Sequence, residues 1–97
     1  MSWINLGEVY YRLLRLRGPG DADAFWHDVR AGIMPLSVVD ASRPRIQQAA
    51  RLKGRYAIAY ASAFAAQVAM EKDVPLVTGD PELKVLADHG LPTLRWL

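Results

Sequence analysis

Ala57-Ile58-Ala59-Tyr60-Ala61-Ser62-Ala63-Phe64-Ala65-Ala66-Gln67-Val68-Ala69-Met70 runs into Glu71-Lys72-Asp73, then Val74-Pro75-Leu76-Val77-Thr78, then Gly79-Asp80-Pro81. The stretch reads as a buried alanine-rich helix feeding a short buried strand. That strand ends in a glycine-containing loop that presents a carboxylate. Ligands of open parallel sheets bind at the carboxyl ends of the strands, so Asp80 stands where chemistry is expected. Ser62, early in the helix, is placed to face it.

Outward from this stretch, length and composition set limits. The chain has 97 residues, the size of one domain, and is 52% hydrophobic. A chain this short buries roughly two-thirds of its unfolded surface at best. There are no cysteines, which excludes a disulfide framework and any thiolate metal site. The longest apolar run, Ala57–Met70, is shorter than the ~20 residues that span a bilayer. Met1-Ser2-Trp3-Ile4-Asn5 lacks the basic start and small-residue cleavage site of a secretory signal. The expectation is a soluble cytoplasmic protein with no membrane partner.

Charge is uneven along the chain. Residues 1–56 hold nine Lys/Arg against five acids, and residues 57–97 hold three against five. Nine of the twelve cations are arginine, the side chain that best matches phosphate geometry. Arg12, Arg15 and Arg17 cluster at one helix end, and Arg43, Arg45, Arg51, Lys53 and Arg55 follow. This is compatible with a nucleic-acid footprint, although for any single arginine a solvated helix face is the commoner role.

The punctuation predicts the elements. Leu6, Val9, Tyr10, Leu13 and Leu16 share one side of a helix over Leu6–Arg17, which Gly18-Pro19-Gly20 stops. Asp21 is the expected N-cap of a helix over Ala22–Ala31, closed by Gly32. Ile33–Val39 predicts a strand despite Pro35. Asp40 or Ser42 caps a third helix with Pro44 in its first turn and Gly54 as its stop. A fourth helix over Ala57–Lys72 precedes a strand at Leu76–Thr78. Pro81–His89 predicts a short fifth helix before Gly90, and Thr93–Trp96 a last strand. Strands separated by helices predict an α/β fold with parallel pairing. The fourth helix has alanine almost all round, so it is expected to pack on more than one side.

Three segments carry a family resemblance. Ser2-Trp3-Ile4-Asn5-Leu6-Gly7-Glu8-Val9-Tyr10-Tyr11 resembles the segment around the second acidic residue of PIN-domain proteins of the VapC toxin type. Ala57–Ala66 resembles their third-acid helix, and Leu76-Val77-Thr78-Gly79-Asp80 their fourth-acid strand and loop. The order is right, and the resemblance spans nearly the whole chain. The resemblance implies a single PIN-like α/β domain with helices around a short parallel sheet. It also implies a Mg²⁺- or Mn²⁺-dependent endoribonuclease, the toxin of a toxin–antitoxin pair, with RNA and a small antitoxin as partners. In this reading Glu8 and Asp80 are catalytic and hold the metal, while Arg12, Arg15 and Arg17 guide RNA phosphates. Ser62, Thr78 and Glu82 substitute for a ligand or hold the ligands in place.

The chain departs from the family pattern twice. Met1 falls where the family has a residue well inside the domain, so the family's first, central strand and its first aspartate are missing. Ser62 stands where the family has its third aspartate. Mg²⁺ keeps several waters and is often held by one or two carboxylates plus substrate phosphate, and it must activate water and neutralise charge on the phosphate. Two family acids of four imply a weak metal site and slight or absent RNA cleavage. The alternative is a non-catalytic PIN-derived module for oligomerisation or protein binding. A sheet without its central strand leaves backbone groups and apolar faces to cover, so a homodimer or higher assembly is expected.

Each candidate also has a purely structural reading. Asn5-Leu6-Gly7-Glu8 has capping-box spacing, and Glu8 also sits one turn from Arg12. Asp80 before Pro81 has the form of an N-cap, which is compatible with metal binding because a carboxylate has two oxygens. Ser62 is a small residue suited to close helix packing, Glu82 a first-turn acid, and Thr78 the end of a strand. His27 and His89 lack a metal-ligand partner at helical spacing. Trp3, Trp26 and Trp96 are expected as core or interface anchors, and apolar helix faces account for Tyr10, Tyr11, Tyr56 and Tyr60.

Overall fold

The computed structural model describes residues 1–34, 36–89 and 94–96. They are mostly helical with one short two-stranded parallel sheet, a mixed α/β arrangement. The order is α1 (Trp3–Arg17), α2 (Pro19–Arg30), α3 (Arg43–Arg55), α4 (Tyr60–Lys72), β1 (Leu76–Thr78), a 3₁₀ turn (Pro81–Leu83), α5 (Lys84–Ala87) and β2 (Leu94–Trp96). The chain forms two compact units, Met1–Asp40 and Ala41–Leu97. Among the described residues, no helix is long and apolar enough to cross a membrane.

In the first unit α1 packs on α2. The helix starts at Trp3 rather than Leu6, because Ser2 and not Asn5 caps it. Ser2 Oγ accepts the Asn5 backbone N–H at 3.3 Å and donates to Asn5 Oδ1 at 2.6 Å. The expected Asn5–Glu8 capping box is therefore replaced by a Ser2–Asn5 pair, leaving Glu8 in the second turn. Gly18 closes α1, donating to the Leu13 and Leu14 carbonyls, and is also the N-cap of α2. Its φ of 89° and ψ of 176° belong to a region open essentially to glycine alone. Pro19 follows at the first helical position, so α2 begins before Asp21, which lies inside the first turn. Trp26 packs against Trp3 at 5.3 Å and Tyr10 at 5.4 Å between ring centroids. The Asp23 carboxylate accepts the Tyr10 hydroxyl at 2.6 Å, which raises the phenol above its ordinary value.

The strand expected over Ile33–Val39 is not formed among its described residues; Pro35 lies outside them. Ile33 N–H donates to the Asp28 carbonyl and Leu36 N–H to that of Met34, which finishes α2 and tightens a turn. Only Val39 pairs, in a single parallel bridge to Ser2. β-Branched composition supplies no partner, and a lone strand leaves its backbone groups unmatched.

In the second unit α3 packs on α4. Ser42 holds the N-cap position of α3, but Gly54 lies inside that helix, which continues to Arg55 before Tyr56 turns extended. Helix α4 begins at Tyr60, three residues later than the composition predicts. Ile58 is buried instead in an extended segment, and Lys53 Nζ donates to its carbonyl at 2.9 Å. Ala63, Phe64, Ala66, Gln67, Val68 and Ala69 are all buried on α4, so the helix is covered on more than one side, as its alanines predict. Phe64 is the largest side chain of a core that includes Ala49, Leu52, Ile58, Leu83 and Leu86. Burying a phenylalanine contributes roughly 1.5–3 kcal/mol. Asp73 ends α4 in the left-handed region, at φ 53°.

Strand β1 pairs with β2 in parallel, with Leu76 opposite Leu94, Val77 opposite Arg95 and Thr78 opposite Trp96. The expected helix over Pro81–His89 is a 3₁₀ turn followed by one turn of α-helix. Gly90 and Thr93, predicted to bound the last two elements, lie outside the described residues.

Candidate functional site: an acidic corner at the end of β1

The carboxyl end of β1 delivers the chain into Gly79-Asp80-Pro81. Pro81 has no N–H to lose and its fixed φ suits the first helical position. Asp80 caps the turn that follows, its Oδ1 accepting the Glu82 N–H at 3.1 Å. The Asp80 backbone N–H in turn donates to Thr78 Oγ1 at 3.0 Å. Thr78 therefore both ends the strand and orients the loop, and Asp80 is exposed at its tip.

Glu82 does more than a first-turn acid. Its Oε1 accepts the backbone N–H of Ala59 at 2.7 Å, at the start of α4. That helix has alanine at its N-cap position and no side-chain cap of its own. Glu82 supplies the missing acceptor from another element, and the Ser62 side chain helps to lower the same carboxyl. The Ala59 N–H, the Ser62 hydroxyl and the Lys53 charge together hold the Glu82 carboxyl below its ordinary value, against the opposing effect of burial. Helix N-termini favour negative charge for the same reason.

The structure thus brings together Ser62, Thr78, Asp80 and Glu82 around the end of β1 and the start of α4. Glu8 belongs to the first unit, where it lies 3.8 Å from Arg12 one turn along α1, the helical pairing its spacing predicts. Arg12, Arg15 and Arg17 are all exposed, with the Arg15 guanidinium 5.1 Å from the centre of the Tyr11 ring. The residues that sequence reasoning missed are Ala59, through its backbone, and Lys53. A signal for Ala59 was present: a helix start at Ala57-Ile58-Ala59 without Ser, Thr, Asp or Asn leaves donors that must find acceptors elsewhere.

Chemically, Asp80 and Glu82 supply two carboxylates two residues apart, each with one oxygen committed to a backbone N–H. A carboxylate pair with oxygen lone pairs to spare suits a hard, mostly hydrated divalent cation. Among the described residues, no group of three or more His, Cys, Asp or Glu side chains converges. Comparison of the chain with known protein families, with curated proteins and with solved structures gave no match.

Proposed function

We propose that this chain is a PIN-type domain related to the ribonucleases of VapC toxins, with RNA and a small antitoxin protein as its partners. The observation that supports this reading is the exposed Asp80 carboxylate at the carboxyl end of a parallel strand, with Glu82 fixed beside it. In this reading Asp80, assisted by Glu82, holds a Mg²⁺ or Mn²⁺ ion weakly, and the ion would polarise a phosphodiester and its attacking water. The exposed arginines of α1 attract RNA phosphates. With so few anionic ligands, hydrolysis is slow.

A second reading, a non-catalytic module that binds protein, is favoured by the use of Glu82 to cap α4. Incubating the purified protein with RNA and Mn²⁺ separates the two. Cleavage that depends on Mn²⁺ and disappears in Asp80→Asn supports the nuclease. Intact RNA at high Mn²⁺, together with a dimeric or larger mass by light scattering, supports the binding module.

A further inference from the structure

Helix α1 turns one face to α2, burying Leu6 and setting the rings of Trp3 and Tyr10 against Trp26. Beside that face runs an uncovered row. Ile4, Gly7, Tyr11 and Leu14 follow one another at steps of three, four and three residues, the spacing of a coiled-coil seam. Ile4, Tyr11 and Leu14 are 36–41% exposed. Single exposed apolar side chains are ordinary on a protein surface, whereas a contiguous row of them marks a contact.

Gly7 interrupts the row. Glycine is the weakest helix former after proline, and the fold itself gives no reason for it here. Its φ is not positive, and outside its own stretch of helix nothing lies within 4 Å of where a Cβ would sit. The result is a notch between Ile4 and Tyr11, open to the close approach of another surface.

Reversed, the row is complementary to itself. In an antiparallel pair centred on Val9, Ile4 of one copy meets Leu14 of the other and Gly7 meets Tyr11, so each ring enters the opposite notch. A parallel pair would set glycine against glycine and ring against ring, leaving a gap beside a clash. Charge favours the same orientation. Glu8, the one acid of α1, lies in its first half, and Arg12, Arg15 and Arg17 lie in its second. Parallel helices would gather both sets of arginines at one end. Reversal instead lays each carboxylate beside the basic half of the other copy, with Glu8 and Arg15 flanking the row on one side. It also opposes the two helix dipoles.

We infer that α1 is the contact between two copies of this chain, an antiparallel helix pair in which Tyr11 of each copy fills the notch at Gly7 of the other. Such an interface is isologous and closes on itself. A row spanning about 15 Å buries less than the ~800 Å² per partner of a standard interface, which places the dimer in the micromolar and not the nanomolar range. The inference is the same for a nuclease and for a binding module, and its test uses neither RNA nor metal.

Sedimentation equilibrium of the purified chain should show monomer and dimer in exchange at micromolar concentration. Gly7→Leu puts its side chain into open space and improves helix propensity. Circular dichroism should therefore stay helical while the dimer weakens about tenfold, the scale of a central contact residue. Tyr11→Ala should weaken it similarly. The chain has no cysteine, so introduced thiols report orientation without background. Ile4→Cys mixed with Leu14→Cys should cross-link on mild oxidation. Neither variant should cross-link alone, because its two thiols lie about 15 Å apart along the pair. A monomer at millimolar concentration, a Gly7→Leu chain that dimerises as tightly as the parent, or single variants that cross-link with themselves would each overturn the assignment.

Discussion

Glu82 accepts the backbone N–H of Ala59 at 2.7 Å across 23 residues of chain, and so caps a helix to which it does not belong. The contact ties the turn after β1 to the start of α4, which fixes the loop that carries Asp80. Glu82→Ala should destabilise the second unit by about 1 kcal/mol, the usual cost of losing a helix cap. Glu82→Gln, which keeps an acceptor, should cost less. Urea denaturation of the two variants measures the difference, and equal stability of Glu82→Ala and the parent would disprove the cap.

Ser62→Asp places a second carboxylate against Glu82. Without metal the two acids repel, which raises the Glu82 carboxyl and lowers stability. Under the ribonuclease reading, Mn²⁺ bound between them reverses the effect. The thermal midpoint of Ser62→Asp should therefore fall below that of the parent in EDTA and rise on adding Mn²⁺. A midpoint insensitive to Mn²⁺ would argue against a cation site at this corner.

Acid titration should expose the Arg45–Glu71 pair. Hydrogen bonds from Arg45 and Gln67 lower the Glu71 carboxyl from 4.5 to about 2. A carboxyl lowered on folding contributes stability that is present above its unfolded value and lost as pH falls through its folded one. Stability should thus decline from about pH 4.5 towards about pH 2. Arg45→Gln should flatten that decline, as read from urea midpoints across the range. An unchanged pH dependence in Arg45→Gln would mean that the pair does not persist in solution.

Gly18→Ala tests the corner between α1 and α2. No side chain crowds the glycine, so only backbone conformation opposes the change. At φ 89° and ψ 176° the penalty should be roughly 1–3 kcal/mol. Gly20→Ala, inside α2 with equal space, should instead stabilise slightly. Comparing their thermal midpoints separates conformational strain from crowding.

Much of the second unit was legible because its signals are local. Val74-Pro75-Leu76-Val77-Thr78 announces β1, Asp80-Pro81 announces its own cap, and the alanines of α4 announce packing on more than one side. The failures involve partners distant in sequence. Ile33–Val39 has strand composition but finds only Ser2 to pair with. Ser2 displaced Asn5 as a cap because the helix could start three residues sooner. Glu82 read as a first-turn acid because nothing nearby in sequence shows that Ala59 needs it. Gln67 stands in an otherwise apolar stretch, and nothing in that stretch shows that its amide oxygen ends buried and unmatched.

The placement of the indoles gives the molecule a built-in optical record of its two halves. Trp3 and Trp26 lie 5.3 Å apart in the first unit, close enough for their excited states to couple and produce a paired near-ultraviolet dichroism band. Trp96, 48% exposed in the second unit, should instead emit at long wavelength. Loss of the coupled band at a denaturant concentration where Trp96 emission is still unchanged would reveal that the halves melt separately. Replacing Trp96 with phenylalanine leaves tryptophan signals that report on the first half alone.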